Sequence, residues 1–197
     1  KWKFVNTDVN DFMNIIIFAS GNGSNAENII KYFNKKKYNI NWLTVSNNKH
    51  AGVIEKVAKL GSKIKIISKN ELGEENFIHS IVDLKPTLIV LAGFLLKIPE
   101  NFIKNFNNRI INIHPSLLPK YGGKGMYGQF VHKKVIENKE IRSGITIHFV
   151  NEKYDEGKII FQKEIEIKKP KTSESLANQI HKLEMEYFPL IIEKLIS

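Results

Sequence analysis

The chain has 197 residues, of which 42% are hydrophobic and 25% charged, and its formal net charge is +10. No apolar run reaches the roughly 20 residues that a membrane-spanning helix needs, and the lack of cysteine excludes disulfides, thiolate nucleophiles and thiolate zinc sites. The lysines are scattered along the chain and are not grouped among aromatic residues. We therefore interpret the charge as composition on solvated surfaces, and we expect a cytoplasmic protein that binds neither nucleic acid nor membranes.

Strand and helix patterns alternate along the chain, which predicts a Rossmann-like α/β fold: a doubly wound, mostly parallel sheet flanked by helices. Apolar segments predict strands at 14–19, 40–46, 64–67, 87–92 and 109–113. After residue 140, segments 144–150 and 158–166 indicate two more strands, joined by the polar loop 151–157. The length suits one domain over residues 1–197, with 1–13 as an N-terminal arm.

The helices are predicted from apolar residues that recur on one face. Two such faces consist of Ala26, Ile29, Ile30 and Phe33, and of Phe77, Ile78, Ile81 and Val82. A third helix, at 53–60, should stop at Gly61, and Pro99 suits the first turn of a fourth. A long helix should begin near Ser173, with Leu176, Ile180, Leu183 and Tyr187 facing inward. Pro189 should kink or interrupt it.

A glycine-rich loop follows the first strand directly and leads into a helix. Ser24 and Glu27 have the spacing of a capping box, which predicts the helix start, and the N–H groups of such a start can bind a phosphate. A dinucleotide site would need a carboxylate after the second strand, and residues 45–50 contain none. The sequence thus favours a phosphate loop over an oxidoreductase site, with a plain glycine turn as the alternative.

The strongest catalytic pattern is at the end of the fifth strand, where Asn112 and His114 precede Pro115. Residues two apart in a strand share a face, so an amide and an imidazole should stand together at the edge where ligands of α/β sheets bind. The amide can stabilise an oxyanion and the imidazole can move a proton. Ser116 is badly placed to be activated as a nucleophile by this histidine. We therefore expect direct transfer between substrates without a covalent enzyme intermediate.

A carboxylate should support the charged form of this histidine, and Asp155 in the polar loop is the candidate. A simple turn residue is the alternative for Asp155. His148 is either a buried core histidine or a partner that orients the catalytic residues. His50, His79, His132 and His181 show no metal-ligand spacing, so no metal is assigned.

Five segments in this order resemble the phosphoribosylglycinamide formyltransferases, folate-dependent enzymes of purine synthesis. They are residues 20–25, 91–94, 112–120, 144–150 and 154–157. The resemblance implies a formyltransferase fold and transfer of a formyl group from 10-formyltetrahydrofolate to the amine of glycinamide ribonucleotide, without a metal. It gives no preference between a monomer and a homodimer.

The resemblance also implies roles for particular residues. Catalysis falls to Asn112, His114 and Asp155. Gly23, Ser24 and Asn25 would bind the phosphate of the acceptor substrate, and Glu184 would bind its glycinamide end. The folate would be bound by the segments 95–98 and 151–155 and by Asn112. The residues concerned are Leu95, Leu96, Lys97, Ile98, Asn112 and Asp155. A side-chain role is not assigned to Lys97.

The sequence departs from the family pattern in three places. An arginine that often follows the segment 91–94 is absent, as is one near the substrate phosphate, where Lys69 is the possible substitute. The loop 122–128 is long and rich in glycine, which suits either a mobile lid or a surface turn. The alternatives are another folate-dependent formyltransferase, a formyltetrahydrofolate hydrolase and, from a different class, a basic nucleotide- or nucleic-acid-binding module.

Overall fold

The computed structural model describes residues 12–169 and 172–197, so most of the expected N-terminal arm lies outside the described residues. The strands are β1 Met13–Phe18, β2 Ile40–Ser46, β3 Lys63–Ile66, β4 Leu88–Leu91, β5 Ile110–His114, β6 Arg142–Phe149 and β7 Ile159–Glu166. The helices are α1 Ser24–Lys35, α2 Gly52–Ala58, α3 Glu75–Val82, α4 Glu100–Asn105, α5 Gln129–Glu137 and α6 Ser173–Ile196, with a 3-10 turn at Glu71–Gly73. The predicted strands and helices are confirmed, with ends shifted by one or two residues.

In the described residues the strands form one seven-stranded sheet in the order β3-β2-β1-β4-β5-β6-β7. The first five strands run parallel, while β6 and β7 return antiparallel at one edge. The strand order reverses between β1 and β4, and open α/β sheets bind ligands at such a reversal. The predicted doubly wound, mostly parallel sheet is confirmed.

Both faces of the sheet are covered, which explains the continuous apolar run of β1. Ile15 and Ile17 pack on one face with α1, α2, α5 and α6, whereas Ile16 and Phe18 pack on the other with α3 and α4. None of these four side chains is more than 1% exposed. The prediction for Val82 was wrong: it is 36% exposed and is the last residue of α3.

Of the kink or interruption expected at Pro189, the interruption was wrong, because α6 runs from Ser173 to Ile196 without a break. Proline has no N–H to give to the carbonyl four residues earlier, which here belongs to Met185. The side-chain amide of Asn28 in α1 donates to that carbonyl at 2.7 Å. A neighbouring helix therefore replaces the hydrogen bond that Pro189 cannot make.

Helix α1 begins at Ser24 as predicted, but the capping box does not form. Gly23 is the capping residue, with a φ of +76°, and no side chain caps the helix. Glu27 instead pairs with Lys31 at 2.6 Å. Over the described ranges, no helix is both long and apolar enough to cross a bilayer.

Candidate active site

The site lies where the carboxyl ends of β1 and β4 meet. The loop after β1 is joined to the segment after β4 through Ser20, whose N–H donates to the carbonyl of Gly93 at 3.0 Å. The hydroxyl of Ser20 accepts from the N–H of Leu95 at 2.9 Å. The glycine loop and the segment 93–98 are thus held together as two walls of one crevice.

A cavity of about 560 Å³ opens at this crevice. Most of the predicted site residues line it, namely Asn25, Leu95, Leu96, Lys97, Ile98, Asn112, His114, His148, Asp155 and Glu184. Gly23 and Ser24 do not line it, although they directly precede Asn25. Lys69, considered as a substitute for a phosphate-binding arginine, does not line it either.

Asn112 and His148 face each other across the antiparallel pair β5 and β6. Nδ1 of His148 lies 2.8 Å from the carbonyl oxygen of Phe149 and therefore carries the proton, which leaves Nε2 as an acceptor. Nδ2 of Asn112 donates to this Nε2 at 3.2 Å. One N–H of the amide is thereby fixed by His148, and the second remains for a ligand.

His114 is 3% exposed and is held by one hydrogen bond. Its Nε2 donates to the carbonyl of Tyr121 at 2.7 Å, so a neutral ring presents Nδ1 as a bare acceptor. Ser116 takes no part in this arrangement, because its buried hydroxyl donates to the carbonyl of Lys120 at 2.7 Å. This geometry agrees with the expectation that Ser116 is not a nucleophile.

Asp155 lies between the two imidazoles. Its Oδ2 is 3.6 Å from Nδ1 of His114 and its Oδ1 is 3.6 Å from Nε2 of His148. Oδ2 also accepts from the N–H of Gly123 at 2.9 Å, so the glycine-rich loop 122–128 contacts the site. Burial raises the pKa of Asp155, but the nearby imidazoles of His148 and His114 and the hydrogen bond from the Gly123 N–H together hold that pKa below its ordinary value.

The loop that carries Asp155 requires a glycine at position 157. Gly157 passes so close to the carbonyl of Phe149 that any side chain at this position would collide with it. Phe149 ends β6 and directly follows His148 in the chain. The missing side chain of Gly157 is therefore what lets the loop lie against β6 and bring Asp155 to the histidines.

The expectation that Asp155 favours a charged imidazole is opposed by burial. Removal from water lowers the pKa of His114, and this outweighs the attraction of Asp155 and the hydrogen bond to Tyr121, which both raise it. His114 is accordingly neutral near pH 7 and offers its Nδ1 as a proton acceptor. The carboxylate becomes important once that nitrogen takes up a proton.

A second group of side chains also lines the cavity, where α1 meets α6. Nδ2 of Asn25 donates to Oε2 of Glu184 at 2.9 Å, and Nδ1 of His181 lies 3.4 Å from the same oxygen. The hydrogen bond and charge of Glu184 raise the pKa of His181, against the effect of burial. Oδ1 of Asn25 is buried without a hydrogen-bond partner among the described residues.

The start of α1 leaves N–H groups that no carbonyl of the helix can accept. The first hydrogen bond of the helix joins the N–H of Glu27 to the carbonyl of Gly23 at 2.9 Å. The N–H groups of Ser24 and Asn25 come before it, at the positive end of the helix dipole. These residues can hold an anion beside the cavity.

The two segments expected to contact a folate meet at the mouth of the cavity. Nζ of Lys97 lies 5.6 Å from the centre of the Tyr154 ring, a cation–π distance. Leu95, at 57% exposed, and the partly buried Leu96 present apolar surface there. The mouth thus combines a flat aromatic ring, aliphatic side chains and a lysine charge.

Two histidines that the sequence analysis left without a role also line the cavity, His132 on α5 and His181 on α6. His181 is three residues before Glu184 in the same helix, and this spacing could have revealed it. No sequence signal marks His132, because its place depends on how α5 packs. Among the described residues, no cluster of three His, Asp or Glu side chains could hold a metal ion.

Comparison with known proteins gives a consistent result. Residues 13–192 match the family model described as formyl transferase. The chain is 36% identical to a chloroplastic phosphoribosylglycinamide formyltransferase of Arabidopsis thaliana, over 93% of this chain and 66% of the plant protein, so it spans just under two thirds of that relative. It is 34% identical to the phosphoribosylglycinamide formyltransferase of Bacillus subtilis, over 92% of this chain and 93% of the bacterial protein.

Solved structures agree with these relatives. A crystal structure of glycinamide ribonucleotide transformylase 1 from Geobacillus kaustophilus superposes with a TM-score of 0.83 at 26% identity, over 95% of this chain and all of that one. A phosphoribosylglycinamide formyltransferase from Campylobacter jejuni gives 0.78 at 31% identity, over 93% and 97%. The similarity therefore covers nearly the whole described chain.

Proposed function

Because this chain belongs to the formyl transferase family, in its group of phosphoribosylglycinamide formyltransferases, we propose that it transfers a formyl group from 10-formyltetrahydrofolate to the amine of glycinamide ribonucleotide. The observation that carries this proposal is that two groups of residues line the same cavity. One group is Asn112, His114 and Asp155, and the other is Asn25 and Glu184. The first group of residues suits acyl chemistry, and the second suits a phosphorylated amine.

The acceptor substrate fits the end of the cavity formed by α1 and α6. Gly23, Ser24 and Asn25 supply the backbone N–H groups for its phosphate, aided by the dipole of α1. Glu184 lies beside this helix start and carries the negative charge that suits an amine. Because Asn25 of the loop contacts Glu184 directly, the nucleotide can place its phosphate at the start of α1 and its amine beside Glu184.

The reduced folate fits the mouth and the opposite wall. Leu95, Leu96 and Ile98 offer apolar surface for a flat ring system, and Tyr154 with Lys97 borders the opening. The folate supplies the formyl carbon, carried on N10. Asn112 and Asp155, which also line the cavity, are the polar groups proposed to contact the folate.

The chemistry follows from the hydrogen bonds of the three residues. Asn112 directs its free N–H toward the formyl oxygen and stabilises the negative charge that builds there as the amine attacks. His114, neutral and with Nδ1 bare, accepts the proton that the attacking nitrogen must lose, directly or through water. Asp155 then stabilises the imidazolium until the proton passes to N10, as the bond between that nitrogen and the formyl carbon breaks.

The alternatives differ in what they require of the site. A formyltetrahydrofolate hydrolase needs an activated water in place of the amine and has no use for a phosphate loop. A basic nucleic-acid-binding module needs an exposed patch of cations and no enclosed Asn112 and His114 pair. The enclosed pair beside a helix start favours transfer to a small phosphorylated acceptor.

The test is an acceptor screen with the purified chain and 10-formyltetrahydrofolate. We expect N-formylglycinamide ribonucleotide to form with glycinamide ribonucleotide, and little formyl loss to water or to a nucleotide-sugar amine. His114→Ala should lower turnover by about 100-fold or more while substrate binding is retained. His79→Ala, an exposed histidine on α3, is the matched control. Transfer to another acceptor, or normal turnover by His114→Ala, would reject the proposal.

A further inference from the structure

His132 is a buried histidine for which the reaction described so far has no use. It lies on α5, is 5% exposed and lines the cavity. Within the described part of the chain, its Nδ1 has no hydrogen-bond partner. Folded proteins rarely leave a buried polar atom unpaired, because its lost contact with water is not repaid. An imidazole kept in this state at a cavity wall indicates a partner that arrives with a ligand.

The surroundings of His132 define the chemistry of that partner. Burial lowers the pKa of His132, Glu184 opposes this, and His114 adds to it, so the ring lies within the field of both residues. A neutral imidazole always has one bare nitrogen that accepts a hydrogen bond. An acceptor beside a carboxylate suits an N–H donor and disfavours a phosphate or a carboxylate.

We propose that His132 contacts the acceptor substrate and positions its amine, by accepting a hydrogen bond from it between Glu184 and His114. This inference rests on the proposed function and adds to it the group that orients the attacking amine. Glu184 attracts the amine through charge, whereas His132 fixes the direction of one N–H. The lone pair of the nitrogen is then free to face the formyl carbon.

The experiment measures binding of two ligands by calorimetry: glycinamide ribonucleotide and the matching acetamide ribonucleotide, in which hydrogen replaces the amine. His132→Leu should weaken binding of the amine ligand by about tenfold, the equivalent of one hydrogen bond, and leave the acetamide ligand within about twofold. His132→Asn keeps a polar group near Nδ1 and should recover part of the loss. The KM for the folate should not change in either variant.

A purely structural role of His132 predicts that the leucine variant is less stable than the wild type. Under our proposal, the leucine variant loses only an unpaired polar atom, so its resistance to denaturant should equal or exceed that of the wild type. If the leucine variant does not fold, the asparagine variant is used for the same comparison of the two ligands. Equal losses for both ligands, or no loss for the amine ligand, would overturn the assignment of His132 alone. Failure of the wild type to bind glycinamide ribonucleotide would instead overturn the proposed function, and this inference with it.

Discussion

The chemistry of each histidine in the cavity depends on which neighbour is bonded to each of its two ring nitrogens. Nε2 of His114 is fixed by a backbone carbonyl, whereas Nδ1 faces Asp155 at 3.6 Å, too far for a hydrogen bond. The ring can therefore accept a proton on the side of the cavity and keep its orientation. His148 performs a different task, since its one free nitrogen is used to hold the Asn112 amide.

Replacing Asp155 should shift the titration of His114 in a defined direction. Asp155 raises the pKa of His114 while burial lowers it, so Asp155→Asn should lower that pKa further below its ordinary value of 6.5. The imidazole signals of His114, followed by nuclear magnetic resonance against pH, measure this directly. Glu156→Gln, a change at the neighbouring exposed carboxylate, should leave the titration unchanged. A pKa that rises or stays constant in Asp155→Asn would contradict the role given to Asp155.

At the scale of elements, the acceptor end of the cavity depends on the contact between α1 and α6. Three side chains of α1 reach α6 by hydrogen bonds: Asn25 to Glu184, Asn28 to the carbonyl of Met185, and Tyr32 to Glu193. The Asn28 contact repairs the backbone gap that Pro189 creates. The same contact holds the turn of α6 that carries Glu184 against the start of α1.

A double-mutant cycle tests this repair. Asn28→Ala should lower the free energy of unfolding by about 1–2 kcal/mol, because it leaves the Met185 carbonyl without a donor. In the Pro189→Ala background the loss should be smaller, since the alanine N–H can bond to that carbonyl within the helix. Chemical denaturation of the four proteins gives the coupling. Equal losses in both backgrounds would show that Asn28 acts independently of Pro189.

At the scale of the whole molecule, the buried histidines His114 and His132 tie stability to pH. Burial lowers the pKa of His114 and of His132 below the unfolded value of 6.5. Below pH 6.5 the unfolded chain therefore binds more protons at these positions than the folded chain does, and folding becomes less favourable as pH falls. His181 acts in the opposite sense, because Glu184 raises its pKa and its contribution is lost as pH rises.

The free energy of unfolding should accordingly fall as pH is lowered from 7 to 5. His132→Leu should flatten this dependence, because one depressed pKa is removed, and His181→Gln should steepen it, because the opposing group is removed. Denaturant titrations at several pH values provide the measurement. A wild-type stability that is constant or increases toward pH 5 would contradict the assigned directions.

The sequence by itself determined the strands, every helix of the described residues except α5, the doubly wound sheet and the placement of Asn112 and His114 at one site. These features follow from short-range rules: apolar periodicity, the alternation of side chains along a strand, and the position of glycine and proline. It also indicated Asp155, from the need for a carboxylate beside the histidine, whereas Glu184 came only from the family resemblance. The errors at Val82, Pro189 and the capping box came from applying local rules where a neighbouring element or the end of a helix decided.

Tertiary structure alone decided the rest. Asp155 reaches both histidines because β6 and β7 return antiparallel and Gly157 lets the loop pass close to β6. His132 enters the cavity because of how α5 packs, which no periodicity encodes. The direction of the His114 pKa depends on how much water the fold removes, and that is a property of the assembled molecule, not of the neighbours of His114 in the chain.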